Sequence, residues 1–155
     1  MKHRTCIAIS GFVWFLSGGF LLYKGLHLIN EATLRADTLC YRFQAICGSP
    51  QQAGTILIGI GLILGFIKGR FVLSKTVKRV ANRIAGLTAP IRFSEAYSRS
   101  YWLLILSMIA LGMSFRFLPI PIDARGLVDV AIGSALINGA MLFFRAGKAF
   151  QVSRE

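Results

Sequence analysis

Polar residues inside or beside long apolar stretches are the candidates for chemistry in this sequence. Two are basic, one is acidic and one is an amide, and together they form the candidate polar or anion site: Lys24, Arg116, Asp129 and Asn138. Two basic groups near the same side of a membrane would suit a phosphate or another anion. The structural alternative is that Lys24 and Arg116 extend to the lipid headgroups, or that Arg116 forms an ion pair with Asp129.

Asn138 falls in the middle of an apolar stretch and shares a helix face with Ser134 and Arg145. An amide is costly against lipid, but it contributes about 1 kcal/mol as a hydrogen bond between membrane helices. We predict that this face contacts protein, either inside a helix bundle or across a dimer contact. The alternative is that it lines a pore.

Catalytic and metal-binding patterns are absent from the sequence. His3 and His27 lie at opposite ends of the first apolar stretch, and the 6 acidic residues are scattered over loops and ends. No carboxylates are therefore expected to converge for acid–base chemistry, and the 3 cysteines lack histidine or acidic neighbours at ligand spacing. We predict a protein that is not an enzyme and has neither a metal ion nor a cofactor.

Four apolar stretches hold these polar residues. The chain has 155 residues, of which 55% are apolar and only 15% are charged, whereas a soluble domain has about 25% charged residues. Because a crossing takes about 20 residues, we predict an all-α, polytopic membrane protein that forms a single membrane domain. Its spans are residues 6–28, 53–70, 101–118 and 127–145, with an outer loop 29–52, an inner segment 71–99 and an inner tail 146–155.

Basic residues set the predicted orientation, because short loops rich in Lys and Arg stay in the cytoplasm. The 68–99 segment carries 8 basic residues against Glu95 alone, while the 30–50 loop balances its charges. Both termini are then cytoplasmic, and a bacterial inner membrane is the expected location. The net charge of +12 favours a bilayer with an anionic inner leaflet as the neighbour of this protein.

The inner segment contains a predicted amphipathic helix from residue 71 to 87. Its basic face is expected to contact lipid headgroups through Lys75, Lys78, Arg79 and Arg83. The alternative is a straight continuation of the second span, whose apolar face would need a partner. The segment lacks interleaved aromatic residues for base stacking, so we do not expect nucleic acid to bind.

Small residues recur at helix-packing spacings in the spans, and we expect them to face protein. The set comprises Ser10, Ser17, Gly61, Gly65, Ser107, Ser114, Ala135 and Gly139. Residues 58–65 and 132–139 share 5 identities, so the spans form either two copies of one hairpin, crossing in parallel, or a chance match among common apolar residues. In the outer loop, Cys40 and Cys47 are a candidate disulfide if that face is oxidising; the alternative is two free thiols.

These features favour a protein that acts through contacts with lipid and with other proteins, as a subunit, scaffold or assembly factor. The first alternative is a small carrier or channel for an anionic or small polar solute, formed as an oligomer of paired hairpins. The second is a protein that binds anionic lipid headgroups. The partner is expected to be a second copy or another membrane protein.

Overall fold

The computed structural model describes residues 3–75, 77–79, 106, 110, 117 and 120–152, and within these ranges it describes the side chains of residues 7–71, 73–75, 77–79, 106, 110, 117 and 120–147. This part of the chain is all-helical and contains no strand. The helices are α1 (His3–Ala32), α2 (Leu39–Arg42), α3 (Gln44–Cys47), α4 (Pro50–Lys68) and α5 (Ile122–Val152), with a π turn at Gly69–Leu73 directly after α4.

Three of these helices are long and apolar enough to cross a membrane, over Ile7–Ala32, Pro50–Phe71 and Ile122–Gly147. They correspond to the predicted spans 6–28, 53–70 and 127–145, and each extends beyond its prediction. The expectation of an all-α protein with helices long and apolar enough to cross a membrane is confirmed for the described residues. The predicted span 101–118 lies outside the described residues, except for Leu106, Ala110 and Phe117, which are helical and exposed.

The start of α5 differs from the sequence prediction. The last span is predicted to begin at residue 127, but residues 123–126 already form the first turn of the helix, where the Arg125 N–H donates to the Pro121 carbonyl at 3.2 Å. Asp123 stabilises this start because a carboxylate is favourable near the positive end of the helix dipole. Gly126 lies in the helix because α1 approaches it closely: a Cβ added there would lie 2.6 Å from Ile29 Cγ1.

α5 packs against α1 in an antiparallel arrangement. Gly18 meets Gly133 midway along the contact, where a Cβ added at Gly18 would lie 2.9 Å from the Gly133 carbonyl oxygen. Seven residues further along α1, a Cβ added at Gly25 would lie 2.7 Å from the Val130 backbone nitrogen. Only glycine permits two helix backbones to approach this closely. The contact follows a seven-residue stripe of small residues on each helix: glycines at positions 11, 18 and 25 of α1, and glycines at 126, 133 and 147 of α5 with Ala140 between the last two.

α4 packs on another face of α5 and runs parallel to it. Successive glycines of α4 meet successive turns of α5: Gly61 lies against Val130, and Gly65 lies against Ala131 and Ser134. The C-terminal ends of α4 and α5 therefore lie at the same end of the bundle as the N-terminal end of α1. The helix dipoles of α4 and α5 point the same way, opposite to that of α1.

The register of α4 on α5 does not match the proposed repeat. That repeat equates Gly65 with Gly139, but Gly65 contacts Ala131 and Ser134, which lie about 8 to 12 Å before Gly139 along the helix. Copies related by an axis along the membrane normal would have equivalent residues at one depth. The parallel direction of the two helices agrees with the proposal, but their register gives it no support.

The π turn keeps one face of the chain against α5. Positions 61, 65, 69, 73 and 77 are all buried, although in an α-helix each step of four residues advances about 40° around the axis. The i→i+5 pattern of the π turn adds about one residue to a turn and so cancels part of that drift. Leu73 and Val77 consequently join a core with Ile7, Trp14 and Phe143.

Candidate functional site

The close contact between α1 and α5 brings together two of the predicted polar residues. Lys24 precedes Gly25, Asp129 precedes Val130, and the backbones meet at Gly25 and Val130. Lys24 Nζ lies 3.0 Å from Asp129 Oδ2, and the two side chains are 51% and 15% exposed. The carboxylate is therefore held in the bundle with its counter-charge, while the lysine is half open to its surroundings.

The four residues of the candidate polar site do not form one site in the described part of the chain. Asn138 lies nine residues beyond Asp129 on α5, which is about 13 Å along the axis. Arg116 lies outside the described residues, so its predicted pairing is not described. The described partner of Asp129 is Lys24.

Asn138 and Ser134 face α4, as the sequence predicts for a protein-facing stripe, but their hydrogen bonds differ from the expectation. The Asn138 Nδ2 donates to the Ser134 carbonyl at 3.3 Å, which is a bond within α5. The bond between helices comes from Ser134, whose Oγ donates to the Leu62 carbonyl of α4 at 3.2 Å. Asn138 itself lies against the first residue of the π turn, with its Cβ 3.2 Å from a Cβ added at Gly69.

Some of the small residues predicted for helix packing lie at helix contacts and others do not. Gly61, Gly65, Ala135 and Gly139 lie at helix contacts, and Ser10 is buried. Ser17 is exposed, so the serine stripe of the first helix is not its packing face. The helix instead packs through the glycine stripe one residue further on, because a glycine permits a closer approach than a serine. Ser107 and Ser114 lie outside the described residues.

The prediction of a separate amphipathic helix in the headgroup layer is wrong over the residues that the structure describes. The chain stays helical after the π turn through residues 74, 75 and 77–79, which we call the basic extension. Leu73 and Val77 pack in the bundle core. The alternative, a continuation of the second span whose apolar face is covered by a partner, therefore fits the structure. Arg83 lies outside the described residues.

Charge is strongly asymmetric along the bundle. One end, which we call the basic end, carries the exposed side chains of Lys68, Arg70, Lys75, Lys78, Arg79 and Arg145. The acidic residues within the described ranges are Glu31, Asp37, Asp123 and Asp129, and all of them lie at or near the other end. Among the described side chains, the basic end thus carries one sign of charge and suits phosphate or carboxylate groups outside the protein.

Asp123 joins the loop between α1 and α4 to the start of α5. Its carboxylate is fully buried, and Oδ2 accepts a hydrogen bond at 3.0 Å from the backbone N–H of Cys40, at the start of α2. The second oxygen, Oδ1, lies 2.9 Å from the Ala124 nitrogen, which donates to it. Thr38 holds the same loop to the end of α1, because its buried Oγ1 lies 2.9 Å from the Ala32 carbonyl oxygen.

Cys40 and Cys47 are free thiols in this structure, so the candidate disulfide is not formed. Cys40 is fully buried in a small core with Ala32 and Ala53, and Cys47 packs against that core. The Cys40 sulfur lies 4.0 Å from a Cβ added at Gly54 and is enclosed by the protein. Burial, together with the negative charge of Asp123, raises the pKa of the Cys40 thiol above its usual value.

Sequence reasoning missed two features that the structure brings out. The glycine stripe of α1 and the glycine and alanine stripe of α5 have a regular seven-residue spacing, so that signal was present in the sequence. The contact between Asp123 and Cys40 joins residues 83 positions apart, and no local pattern marks it. The polar groups described above are arranged to join helices and loops. No protein-family model, curated protein or solved structure matches this chain.

Proposed function

We propose that this chain is a small multi-pass membrane protein without enzymatic activity, which works through contacts as a subunit, scaffold or assembly factor. The observation that carries the proposal is the use of its polar groups for internal packing. Lys24 pairs with Asp129 and Ser134 bonds Leu62, while glycines join the helix backbones between them. Such a bundle is a rigid platform, and its outer surface is left for partners.

Four crossings are part of this proposal. α4 and its basic extension run to the basic end, whereas α5 starts at Ile122 at the opposite end. The chain between Arg79 and Ile122 must therefore return along the length of the bundle. The apolar stretch 101–118 is long enough to make that return through a bilayer.

The proposed orientation places the basic end in the cytoplasm, together with both termini. The support is the concentration of exposed Lys and Arg at that end, since basic segments are retained on the cytoplasmic side. It agrees with a plasma membrane, such as a bacterial inner membrane. The anionic headgroups of the inner leaflet would then contact the basic end.

Co-purification after cross-linking in the membrane tests the main proposal. The full chain, with a photoreactive residue in place of exposed Phe20, Ile63 or Leu34, is expressed, irradiated and purified in detergent. We expect one membrane protein, or the chain itself, to be captured at a subset of these positions. Uniform labelling by lipid alone at every position would contradict a role in protein contacts.

A carrier or channel is the second candidate, and the π turn beside Asn138 favours it, since π turns occur often at functional sites. Purified protein in liposomes would be tested for efflux of chloride, phosphate and small neutral solutes. Efflux that is lost in Asn138→Leu and kept in the exposed control Ile63→Leu would support this candidate. Background-level efflux from the wild type, Asn138→Leu and Ile63→Leu alike would exclude a carrier or channel for these solutes.

Binding of anionic headgroups is a third candidate, carried by the basic end. It is tested with the full chain in nanodiscs of phosphatidylcholine with or without phosphatidylglycerol. The triple variant Lys75→Gln, Lys78→Gln, Arg79→Gln should lose the stabilisation that phosphatidylglycerol gives the wild type. Arg35→Gln, Arg42→Gln, at the other end, is the matched control and should keep it.

A further inference from the structure

One edge of α5 is polar where the surrounding helix is apolar. Ser134, Asn138, Met141 and Arg145 lie on one stripe, because steps of three, four and seven residues return a helix to nearly the same face. We call this stripe the Asn138 edge. Met141 is 52% exposed, Arg145 is also exposed, and Ser134 and Asn138 are partly exposed, so the stripe reaches the outer surface of the bundle beside α4.

The Asn138 carboxamide can form more hydrogen bonds than it forms in this structure. A carboxamide has two N–H donors and an oxygen with two acceptor sites, and Nδ2 makes one bond, to the Ser134 carbonyl of the same helix. Within the described ranges, nothing donates to Oδ1. Because Asn138 lies near the middle of the apolar span Ile122–Gly147, water is not at hand to satisfy the remaining groups, and lipid cannot.

From this edge we infer that the chain forms a dimer in which the Asn138 side chains of two copies bond each other. The inference rests on the proposed function, a membrane protein that acts through contacts. It takes a second copy of the chain as one partner and the Asn138 edge as the surface that this copy contacts.

The partner is a second copy because a carboxamide is complementary to itself. Copies inserted in the same orientation are related by a twofold axis along the membrane normal, so identical residues meet at identical depth. The Nδ2 of one Asn138 then faces the Oδ1 of the other, and the unused donor and acceptor satisfy each other. Any other helix would have to place a matching polar group at the same depth.

The rest of the edge is compatible with this contact. Ser134 has a short side chain, and its hydroxyl already donates a hydrogen bond to the Leu62 carbonyl. It therefore permits close approach of a second helix. Met141 is unbranched and adapts to an irregular surface. Arg145 lies about 10 Å further towards the basic end, where its long stem can carry the charge to the headgroups instead of to the other copy.

Cysteine cross-linking of the full chain in its native membrane tests the dimer. In a background with Cys6→Ser, Cys40→Ala and Cys47→Ala, the variants Asn138→Cys and Met141→Cys are oxidised with copper phenanthroline. We expect disulfide-linked dimer from both, at least about fivefold more than from Ile63→Cys, an exposed apolar position on α4. The pair Ile7→Cys, Gly147→Cys reports that the background is folded, because a Cβ added at Gly147 lies 3.6 Å from Ile7 Cγ2.

A second measurement distinguishes a bonding role of the Asn138 side chain from mere proximity of the two copies at this position. Asn138→Leu in the otherwise native chain should weaken dimerisation in detergent by about three- to tenfold, while Asn138→Gln keeps most of it. Equal cross-linking at positions 138 and 63, or an unchanged dimer in Asn138→Leu, overturns the inference. If the dimer is not found but a different membrane protein is captured, the proposed function still stands. If neither a second copy nor another membrane protein is captured, both the dimer and the proposed function are contradicted.

Discussion

Lys24 Nζ lies 3.0 Å from Asp129 Oδ2 and so joins α1 to α5 near the end of the bundle opposite its basic end. The carboxylate is 15% exposed and the lysine 51%, so the pair is asymmetric in its surroundings. Removing the lysine leaves a mostly enclosed negative charge, whereas removing the carboxylate leaves a lysine that can extend to the headgroups. The two single substitutions therefore have unequal costs.

We expect Lys24→Met to destabilise the protein by about 1 to 2 kcal/mol and Asp129→Asn by less, since an unpaired enclosed charge costs more than an unpaired open one. The measurement is the fraction of folded protein that remains after heating in detergent. The exchanged double variant Lys24→Asp, Asp129→Lys should recover part of the loss. If it is no better than Lys24→Met, the pair does not act as a charge pair.

The glycine contact between α1 and α5 predicts that alanine substitution at two glycines of α1 has opposite effects on stability. A Cβ added at Gly25 would lie 2.7 Å from the Val130 nitrogen, whereas one added at Gly19 meets nothing within 4 Å. Gly25→Ala should therefore destabilise the bundle by about 1 to 3 kcal/mol. Gly19→Ala should be neutral or stabilising by up to about 1 kcal/mol, because alanine favours helix. Equal melting temperatures for the two variants would mean that this contact is not formed.

The hydrogen bond from the Cys40 N–H to Asp123 predicts how the loop between α1 and α4 responds when that bond is removed. In a chain that retains only Cys40, Asp123→Ala should speed maleimide labelling by about tenfold, because one lost buried hydrogen bond raises local opening by about that factor. The exposed acid Asp37 provides the matched control, Asp37→Ala, for which no change is expected. Labelling of Cys40 that stays slow in Asp123→Ala would contradict the role of Asp123.

The pH dependence of that labelling has a defined sign. Burial and the Asp123 charge raise the pKa of the Cys40 thiol in the folded protein, and the thiolate is the reactive form. The stability linked to this thiol is present below its usual pKa and is lost as the pH rises towards the raised value. Removing Asp123 should therefore move the onset of labelling to lower pH. An onset that moves to higher pH would show that the carboxylate does not oppose ionisation.

The orientation of the basic end predicts the location of both termini. Fusions of a fluorescent protein to either terminus should fluoresce in the cytoplasm, and alkaline phosphatase fused at either terminus should be inactive. A single cysteine placed at exposed Leu34, in the outer loop, should react with a reagent that does not cross the membrane, whereas one placed at exposed Lys78 should not. Opposite results for the two termini would exclude an even number of crossings.

The sequence determines some features of this protein by itself, and the tertiary structure decides others. Apolar length alone was enough to predict membrane helices, since hydrocarbon requires about 20 residues of helix whatever the neighbours are. The small-residue pattern marked Gly61 and Gly65, which the structure places at helix contacts, and it marked the serine stripe of α1 but not the glycine stripe beside it. Both stripes repeat every seven residues, and the sequence does not state how closely two backbones approach.

Other features depended on residues far apart in the chain. The partner of Asp129 proved to be Lys24, more than 100 positions away, and Asp123 bonds a backbone group in the outer loop. The sequence determined the hydrophobic spans and the uneven placement of charge, because both follow from residue type along the chain. Only the packing of α1 and α4 on α5 decided which polar groups meet, because the depth and rotation of each helix are set by the fit of its surface to its neighbours.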